Sequence, residues 1–97
     1  MLTSKQRSYL RSLGNEMEPI LIIGKGGVTD NVVEQLDQAL TARELVKVRV
    51  LPHTEFDVKE IGESLTRETV SEIVQIIGRN ILFYRTPPKN AVKKIDI

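Results

Sequence analysis

The chain has no cysteine and a single histidine, His53. Without cysteine it can form neither a disulfide nor a thiolate nucleophile, and one histidine is too few for a multi-histidine metal cage. We therefore expect neither a metal nor a cofactor. The amino-terminal stretch MLTSKQRSYLRSL has no long apolar run, so neither a signal peptide nor a membrane span is expected. A cytoplasmic location is the simplest expectation.

The chain is also short. Its 97 residues, 40% of them hydrophobic and 28% charged, suffice for one globular domain but not for two. A domain of this size has a radius of gyration of roughly 13 Å and buries only about 60 to 68% of its unfolded surface. It has little capacity for a deep, enclosed pocket, which argues against an enzyme with a small-molecule substrate.

The net charge is only +1, yet the charges are unevenly distributed along the chain. Residues 1–15 carry three basic side chains and no acid, and residues 79–97 carry five basic side chains against one acid. Residues 55–72 instead carry six acids against two basic side chains. This pattern predicts a basic surface that attracts a polyanion, backed by an acidic one. The alternative is a mixed surface that only keeps the protein soluble.

Near the amino terminus, a helix from about Ser4 to Asn15 is predicted behind a capping box formed by Thr3 and Gln6. Its inner stripe consists of Leu2, Tyr9, Leu10, Leu13 and Met17. Residues 19–23, PILII, form a continuous apolar run that is too short for a helix. We expect a strand buried on both faces, and hence a central strand of the sheet.

A second helix is predicted from the N-cap Thr29 to about Arg43, with Asp30 in its first turn, where a negative charge suits the helix dipole. The segment ELVKVRVL then alternates between apolar and polar positions, which predicts a half-buried strand. A third helix is predicted with Thr54 and Asp57 as its capping residues. The inner stripe of this helix is Val58, Ile61, Gly62, Leu65 and Thr69.

Two β-rich segments, EIVQIIG and NILFYR, lie on either side of a turn at Gly78-Arg79-Asn80 and predict a closing hairpin. The fold class is therefore α/β (α+β): a single domain of order αβαβαββ, with a four-stranded mixed sheet packed with three helices. The crossover through the second helix makes the first two strands parallel. The second and third helices cover one face of the sheet and the first helix part of the other. Residues 1–86 are assigned to this domain, and residues 87–97 to a basic, flexible tail.

The junction between the first strand and the second helix, GKGGVTDN, places three glycines and a lysine at residues 24–27. It fits neither the nucleotide-binding P-loop, G-x-x-x-x-G-K-[ST], nor the Rossmann pattern G-x-G-x-x-G. Two alternatives remain: a G-x-x-G clamp on a sugar-phosphate backbone, or a turn whose glycines only supply positive φ. In a clamp, the amides of residues 24–27 and of the helix start would bind phosphate, with Lys25 adding charge. Aromatic residues make up only 4% of the chain, so base stacking is not expected to dominate.

Four segments of the chain match a known family in sequence and spacing: LTSKQRSYLRSL, PILIIGKGGVTDNV, QALTARELVKVRV and EIVQIIGRNILFYR. Over residues 2–85 the chain resembles the CRM domain, named for chloroplast RNA splicing and ribosome maturation, and in particular its free-standing bacterial YhbY-like members. The resemblance implies a fold similar to the C-terminal domain of translation initiation factor three. It also implies binding to ribosomal RNA of large-subunit precursors through the G-x-x-G loop. The family pattern falls on Gly24, Lys25 and Gly27, whereas Gly26 stands where relatives often have a polar residue.

Basic residues outside the loop could extend an RNA-binding surface. Arg7 and Arg11 are predicted on the outer side of the first helix, and Lys47 and Arg49 on the polar face of the second strand, where they could equally be a solvated face. The full set of predicted RNA-binding residues is Gly24, Lys25, Gly26, Gly27, Thr29, Arg7, Arg11, Lys47 and Arg49. No catalytic residue is predicted, because the carboxylates of the third helix have no partner nucleophile.

We therefore expect a monomeric, noncatalytic protein that binds RNA and neither a membrane nor a small-molecule substrate. The alternative is a protein-interaction module that binds an acidic partner through its basic face and the first helix. Lys89, Lys93 and Lys94 in the tail are expected to add only nonspecific attraction.

Overall fold

The computed structural model describes residues 2–52, 56–88 and 90–97. Its elements are α1 (Ser4–Asn15), β1 (Leu21–Ile23), α2 (Asp30–Arg43), β2 (Leu45–Val50), α3 (Val58–Thr69), β3 (Glu72–Ile77) and β4 (Asn80–Tyr84). This order is the predicted αβαβαββ. The capping box at α1 is confirmed, since the Thr3 hydroxyl accepts the Gln6 N–H at 3.1 Å and the Gln6 side chain accepts the Thr3 N–H at 2.9 Å.

The four strands form one mixed sheet in the order β1-β2-β4-β3. β1 runs parallel to β2, whereas β4 is antiparallel to both β2 and β3. The predicted mixed sheet, the parallel crossover pair and the closing hairpin are thus confirmed.

The prediction of a central, doubly buried first strand is wrong. β1 is an edge strand of three residues, and Ile22 is 58% exposed between the buried Leu21 and Ile23. The reason is that β4 folds back from the hairpin and takes the other side of β2, which leaves β1 with one neighbour. A run of isoleucines does not reveal this, because the strand that pairs with β2 lies more than 30 residues away in the chain.

The sheet separates two apolar clusters. α2 and α3 pack on one face, around a cluster made of Leu21, Ile23, Leu36, Leu40, Val46, Val48, Val50, Ile61, Leu65, Ile81 and Phe83. α1 covers part of the other face, where the buried residues are Leu10, Leu45, Val74, Leu82 and Tyr84. The predicted division of the helices between the two faces is therefore confirmed. One member of the predicted stripe of α1 is misplaced, since Tyr9 is 45% exposed.

The start of α3 differs from the predicted cap. Asp57 occupies the N-cap position but its side chain makes no capping hydrogen bond, and Thr54 lies outside the described residues, as does His53. In the carboxyl-terminal tail, Ile95 and Ile97 pack against the second cluster, and the Lys94 N–H donates to Glu44 Oε2 at 2.6 Å. The flexibility of this tail stays a prediction, and its Lys89 lies outside the described residues.

Candidate functional site

The glycine loop, residues 24–27, forms a single turn at the carboxyl end of β1. The Gly27 N–H donates to the Gly24 carbonyl oxygen at 3.1 Å, which closes the turn. Lys25 and Gly26 form the tip and are exposed. Within the described part of the chain, the N–H groups of Lys25 and Gly26 have no hydrogen-bond acceptor. The Gly27 N–H is therefore already used within the turn, contrary to the prediction that the amides of residues 24–27 all bind phosphate. Phosphate binding by the N–H groups of the tip stays a prediction.

The three glycines of the loop are under different constraints. Gly27 is buried with φ at 66°, and a Cβ atom there would lie 2.6 Å from Phe56 Cδ2. Gly24 and Gly26 do not have positive φ. A Cβ atom would find its nearest described neighbour at 3.9 Å for Gly24 and at 3.7 Å for Gly26, which is ordinary van der Waals contact. The fold of the described residues therefore explains a glycine at position 27 but not at 24 or 26.

The start of α2 has the predicted cap and the predicted acidic residue. Thr29 is the N-cap, as predicted, and its hydroxyl oxygen accepts the Val32 N–H at 3.2 Å. Asp30 places a carboxylate in the first turn, where it offsets the positive end of the helix dipole. A negatively charged ligand would therefore depend on the loop tip and Lys25 more than on the helix end.

Lys47 and Arg49 lie on the α1 side of the sheet. The valines of β2 point into the cluster under α2 and α3, so these two alternate residues point to the opposite face. Arg49 is exposed, and its register partner in β1 is Ile22, two residues before the glycine loop. Lys47 is half-buried beside Gly14 and Asn15, at the end of α1. The structure thus brings Arg49 to the same end of the sheet as Lys25.

The sheet separates charge in part. The basic residues of α1 and β2 lie on one side, whereas α3, which exposes Glu60, Glu63 and Glu68 together with Lys59 and Arg67, packs on the other. Among the described residues, the ion pair between Arg85 and Asp37, at 2.6 Å, joins β4 to α2 and involves neither Lys25 nor Arg49. The cations near the loop are thus not neutralised by a described carboxylate.

The two arginines of α1 have different environments. The Arg7 guanidinium is half-buried and its Nη1 donates to the Ile73 carbonyl oxygen at 2.7 Å, at the register shift of β3. Arg11 is exposed. The expectation that both arginines lie free on the outer side of the helix is therefore wrong for Arg7, because the bulge in β3 leaves carbonyl groups that need a donor.

Two residues near the loop were missed by sequence reasoning. Arg79, in the hairpin, donates from Nε to the Val50 carbonyl oxygen at 2.9 Å and from Nη2 to that of Leu51 at 2.8 Å. It thereby holds the end of β2 beside the loop, since the Leu51 N–H donates to the Ile23 carbonyl oxygen at 2.9 Å. Phe56 is 48% exposed and covers Gly27. No local pattern marks either residue, because their partners are far away in the sequence.

Neither a metal site nor a membrane-spanning helix is found among the described residues. They contain no group of three histidine, cysteine, aspartate or glutamate side chains that could hold a metal ion. None of the helices in the described ranges has the length and apolar character needed to cross a bilayer.

Comparison with known proteins places these features in a family. The chain is 43% identical over 97 residues to the "Probable RNA-binding protein YqeI" of Bacillus subtilis, covering 100% of this chain and 99% of the relative. It is 32% identical over 84 residues to an "RNA-binding protein" of Haemophilus influenzae, covering 87% of this chain and 85% of that one. The solution structure of the Staphylococcus aureus protein SAV1595 is similar with a TM-score of 0.81 and 47% identity, over 100% of this chain and 99% of that chain. A family model, described as the CRS1 / YhbY (CRM) domain, matches residues 2–85. The chain therefore belongs to the CRS1/YhbY (CRM) domain family.

Proposed function

We propose that this protein is a noncatalytic, cytoplasmic RNA-binding protein that acts as a monomer on ribosomal RNA of large-subunit precursors. In this proposal the N–H groups of Lys25 and Gly26 donate to a backbone phosphate, and the Lys25 ammonium group adds charge. Arg49 and Lys47 continue the contact along the α1 side of the sheet, and the exposed Arg11 adds to the same field.

The observation that carries this proposal is the presence of glycine at positions 24 and 26. Neither position has positive φ, and each has room for a Cβ atom among the described residues. A turn needed only to change the chain direction would not require them. A sugar-phosphate backbone that approaches the tip closely would require glycine at these positions, because a Cβ atom there would stand between the phosphate and the exposed amides.

The relatives support RNA as the class of ligand, since both curated proteins described above carry RNA binding in their names. Ribosomal RNA of the large subunit is a more specific proposal, which follows from the resemblance to YhbY-like proteins.

The charge distribution predicts which side of the protein the RNA approaches. Phosphates are attracted to the side of Lys25 and Arg49 and repelled from the carboxylates of α3.

Substitution of Lys25 by alanine tests the proposed phosphate contact. We expect Lys25→Ala to weaken binding by a similar factor for RNAs of different sequence and to lower the slope of log K against log salt concentration by about 1. The matched control is Lys59→Ala, which removes an exposed lysine from α3 on the opposite side of the sheet. Fluorescence anisotropy titrations at several salt concentrations measure both the affinity and the slope.

A salt slope that Lys25→Ala leaves unchanged would contradict the contact at the loop tip. Crosslinking of the protein to RNA in cells, followed by sequencing of the attached fragments, tests the identity of the RNA. Fragments concentrated in large-subunit precursor RNA are expected. Protein partners that persist after ribonuclease digestion, in the absence of any attached RNA, would favour a protein-interaction module instead.

A further inference from the structure

A cleft of about 420 Å³ opens between α3 and Val28, the residue that follows the glycine loop. Its apolar lining is Val28, Phe56 and Ile61; Ile61 is buried and Phe56 is 48% exposed. The volume lies within the roughly 300 to 1,000 Å³ typical of sites for small ligands. The phosphate contact at the loop tip makes no use of this cleft.

The cleft directly adjoins the glycine loop. The Phe56 ring lies against Gly27, where a Cβ atom would come within 2.6 Å of it. Val28 follows Gly27 in the chain and belongs to the lining of the cleft. A nucleotide whose phosphate lies on Lys25 and Gly26 therefore has the mouth of the cleft beside it, on the side of α3.

The polar lining of the cleft is mainly anionic. It consists of Glu60, Glu63, Ser64 and Arg67, so it carries two carboxylates and one guanidinium group. A phosphate would be repelled from such a site, whereas a neutral base would not. Carboxylate oxygens accept hydrogen bonds from exocyclic amino groups of bases, and a guanidinium group donates to their ring nitrogens and carbonyl oxygens. The chemistry of the lining thus fits a base that carries an amino group.

We propose that this cleft receives one unstacked base of the RNA strand whose backbone lies on the glycine loop, and that it prefers adenine and cytosine to uracil. The Phe56 ring and the apolar lining cover the base, and Glu60 and Glu63 accept hydrogen bonds from its amino group. Uracil has a carbonyl oxygen at the corresponding position, which the carboxylates repel. This inference rests on the proposed function, because the loop is what brings the base to the cleft.

The test compares oligoadenylate, oligocytidylate and oligouridylate of equal length, each titrated into the wild-type protein and into two double variants. Glu60→Ala/Glu63→Ala removes both carboxylates of the cleft and leaves no hydrogen-bond acceptor in their place, whereas glutamine would keep an amide oxygen that accepts. Glu34→Ala/Glu68→Ala makes the same change of charge at exposed positions of α2 and α3 outside the cleft. Thermal unfolding of each variant checks that the fold is retained.

The two explanations predict opposite signs. If the carboxylates only repel the RNA backbone, both double variants bind all three oligonucleotides more tightly than the wild type does. If they accept hydrogen bonds from a base, Glu60→Ala/Glu63→Ala weakens binding of oligoadenylate and oligocytidylate about fivefold, but not that of oligouridylate. The control variant then binds all three oligonucleotides more tightly than the wild type does, and to a similar degree.

An equal increase in affinity for the oligonucleotides in both double variants would overturn the inference while leaving the proposed function intact. Wild-type protein that binds large-subunit RNA but shows no preference among the three oligonucleotides would have the same consequence. Wild-type protein that binds none of these RNAs would overturn the proposed function as well.

Replacement of the aromatic ring provides an independent readout. Phe56→Leu keeps an apolar side chain over Gly27 but removes the ring that a base would contact. We expect about a five- to tenfold loss of affinity for the preferred oligonucleotides with an unchanged salt slope, because no charge is removed. A folded Phe56→Leu variant with wild-type affinity would contradict insertion of a base at this position.

Discussion

At the scale of single residues, the glycines of the loop differ in what the fold requires of them. Gly27 is required by its φ of 66° and by the Phe56 ring above it. Gly24 and Gly26 meet neither constraint among the described residues, and close approach by RNA is the role that we propose for them. The sequence predicted the loop and its lysine, but it could not separate the glycines, because Phe56 reaches Gly27 only through the fold.

Gly27 is held in place by its backbone conformation and by the Phe56 ring. We expect Gly27→Ala to lower the free energy of unfolding by about 2 to 3 kcal/mol, because positive φ costs an L-residue about 1 to 2 kcal/mol and the Phe56 ring must also move. Urea unfolding measures this change. The variant is therefore a poor reporter of RNA binding, and an unaltered stability would show that the loop can rearrange.

Gly26→Ala is the matched variant that reports on binding. Its Cβ atom has space, so the free energy of unfolding should change by less than about 1 kcal/mol. Its affinity for RNA should nevertheless fall about fivefold or more, since the methyl group would hold a phosphate away from the tip amides. A Gly26→Ala protein with wild-type affinity would remove the main support for a clamp at this loop.

At the scale of elements, Arg7 shows how a helix is attached to an irregular strand. β3 is an edge strand, and the register shift between Ile73 and Gln75 disrupts its pairing with β4. The Arg7 guanidinium satisfies the Ile73 carbonyl oxygen at 2.7 Å and lies 3.5 Å from that of Val74, a much weaker contact. Arg7 thereby links α1 to β3 and occupies part of an exposed edge.

This attachment predicts unequal effects of the two arginines of α1. Arg7→Gln should lower the free energy of unfolding by about 1.5 to 3 kcal/mol, the usual contribution of a hydrogen bond to a charged group. Arg11→Gln, at an exposed position on the same helix, should change it by less than about 0.5 kcal/mol. Parallel denaturant titrations give both values. Equal stabilities for the two variants would mean that the bond to β3 contributes nothing.

The elements themselves were the most predictable part of the protein. The bounds of α1 and α2 follow from Thr3, Gln6 and Thr29, whose capping bonds span only three residues of the chain. The cap of α3 was predicted less well, since Asp57 makes no side-chain capping bond. β1 was predicted as a strand but misplaced in the sheet, because strand order depends on partners that a local pattern does not contain.

At the scale of the whole molecule, the sheet converts charge blocks in the sequence into two surfaces of opposite character. The glycine loop lies where these surfaces meet, with Arg49 toward α1 and Glu63 toward α3. A strand of RNA lying across the loop would place its phosphates on the basic side and present a base to the acidic side. The two proposals therefore use both surfaces of one junction.

Stability in alkaline solution depends on Tyr84, which is 1% exposed at the end of β4. Burial raises the pKa of its hydroxyl above the ordinary value of 10.0, the hydrogen bond to Thr86 opposes this, and Glu44 and Glu72 add to the rise. The folded state therefore keeps a proton that the unfolded state loses. The free energy of unfolding should be unaffected by this group below about pH 10 and should decrease as the pH rises from there through the folded-state pKa.

Denaturant titrations over a range of alkaline pH measure this dependence. Lysines titrate in the same range, so the informative quantity is the difference between the wild type and Tyr84→Phe. The Tyr84→Phe variant should lose less stability with rising pH, whereas Tyr9→Phe, which alters an exposed ring, should follow the wild type. Identical slopes for all three proteins would show that Tyr84 becomes accessible without unfolding.

The sequence by itself determined the order of the elements, the caps of α1 and α2, the apolar stripes and the position of the glycine loop. Each of these depends on residues within about one or two helical turns of one another, so a local pattern contains the relevant physics. The tertiary structure alone decided that β1 lies at the edge, that Arg7 binds β3 and that Phe56 covers Gly27. These contacts join residues that are far apart in the chain, and packing selects them only once the sheet has assembled.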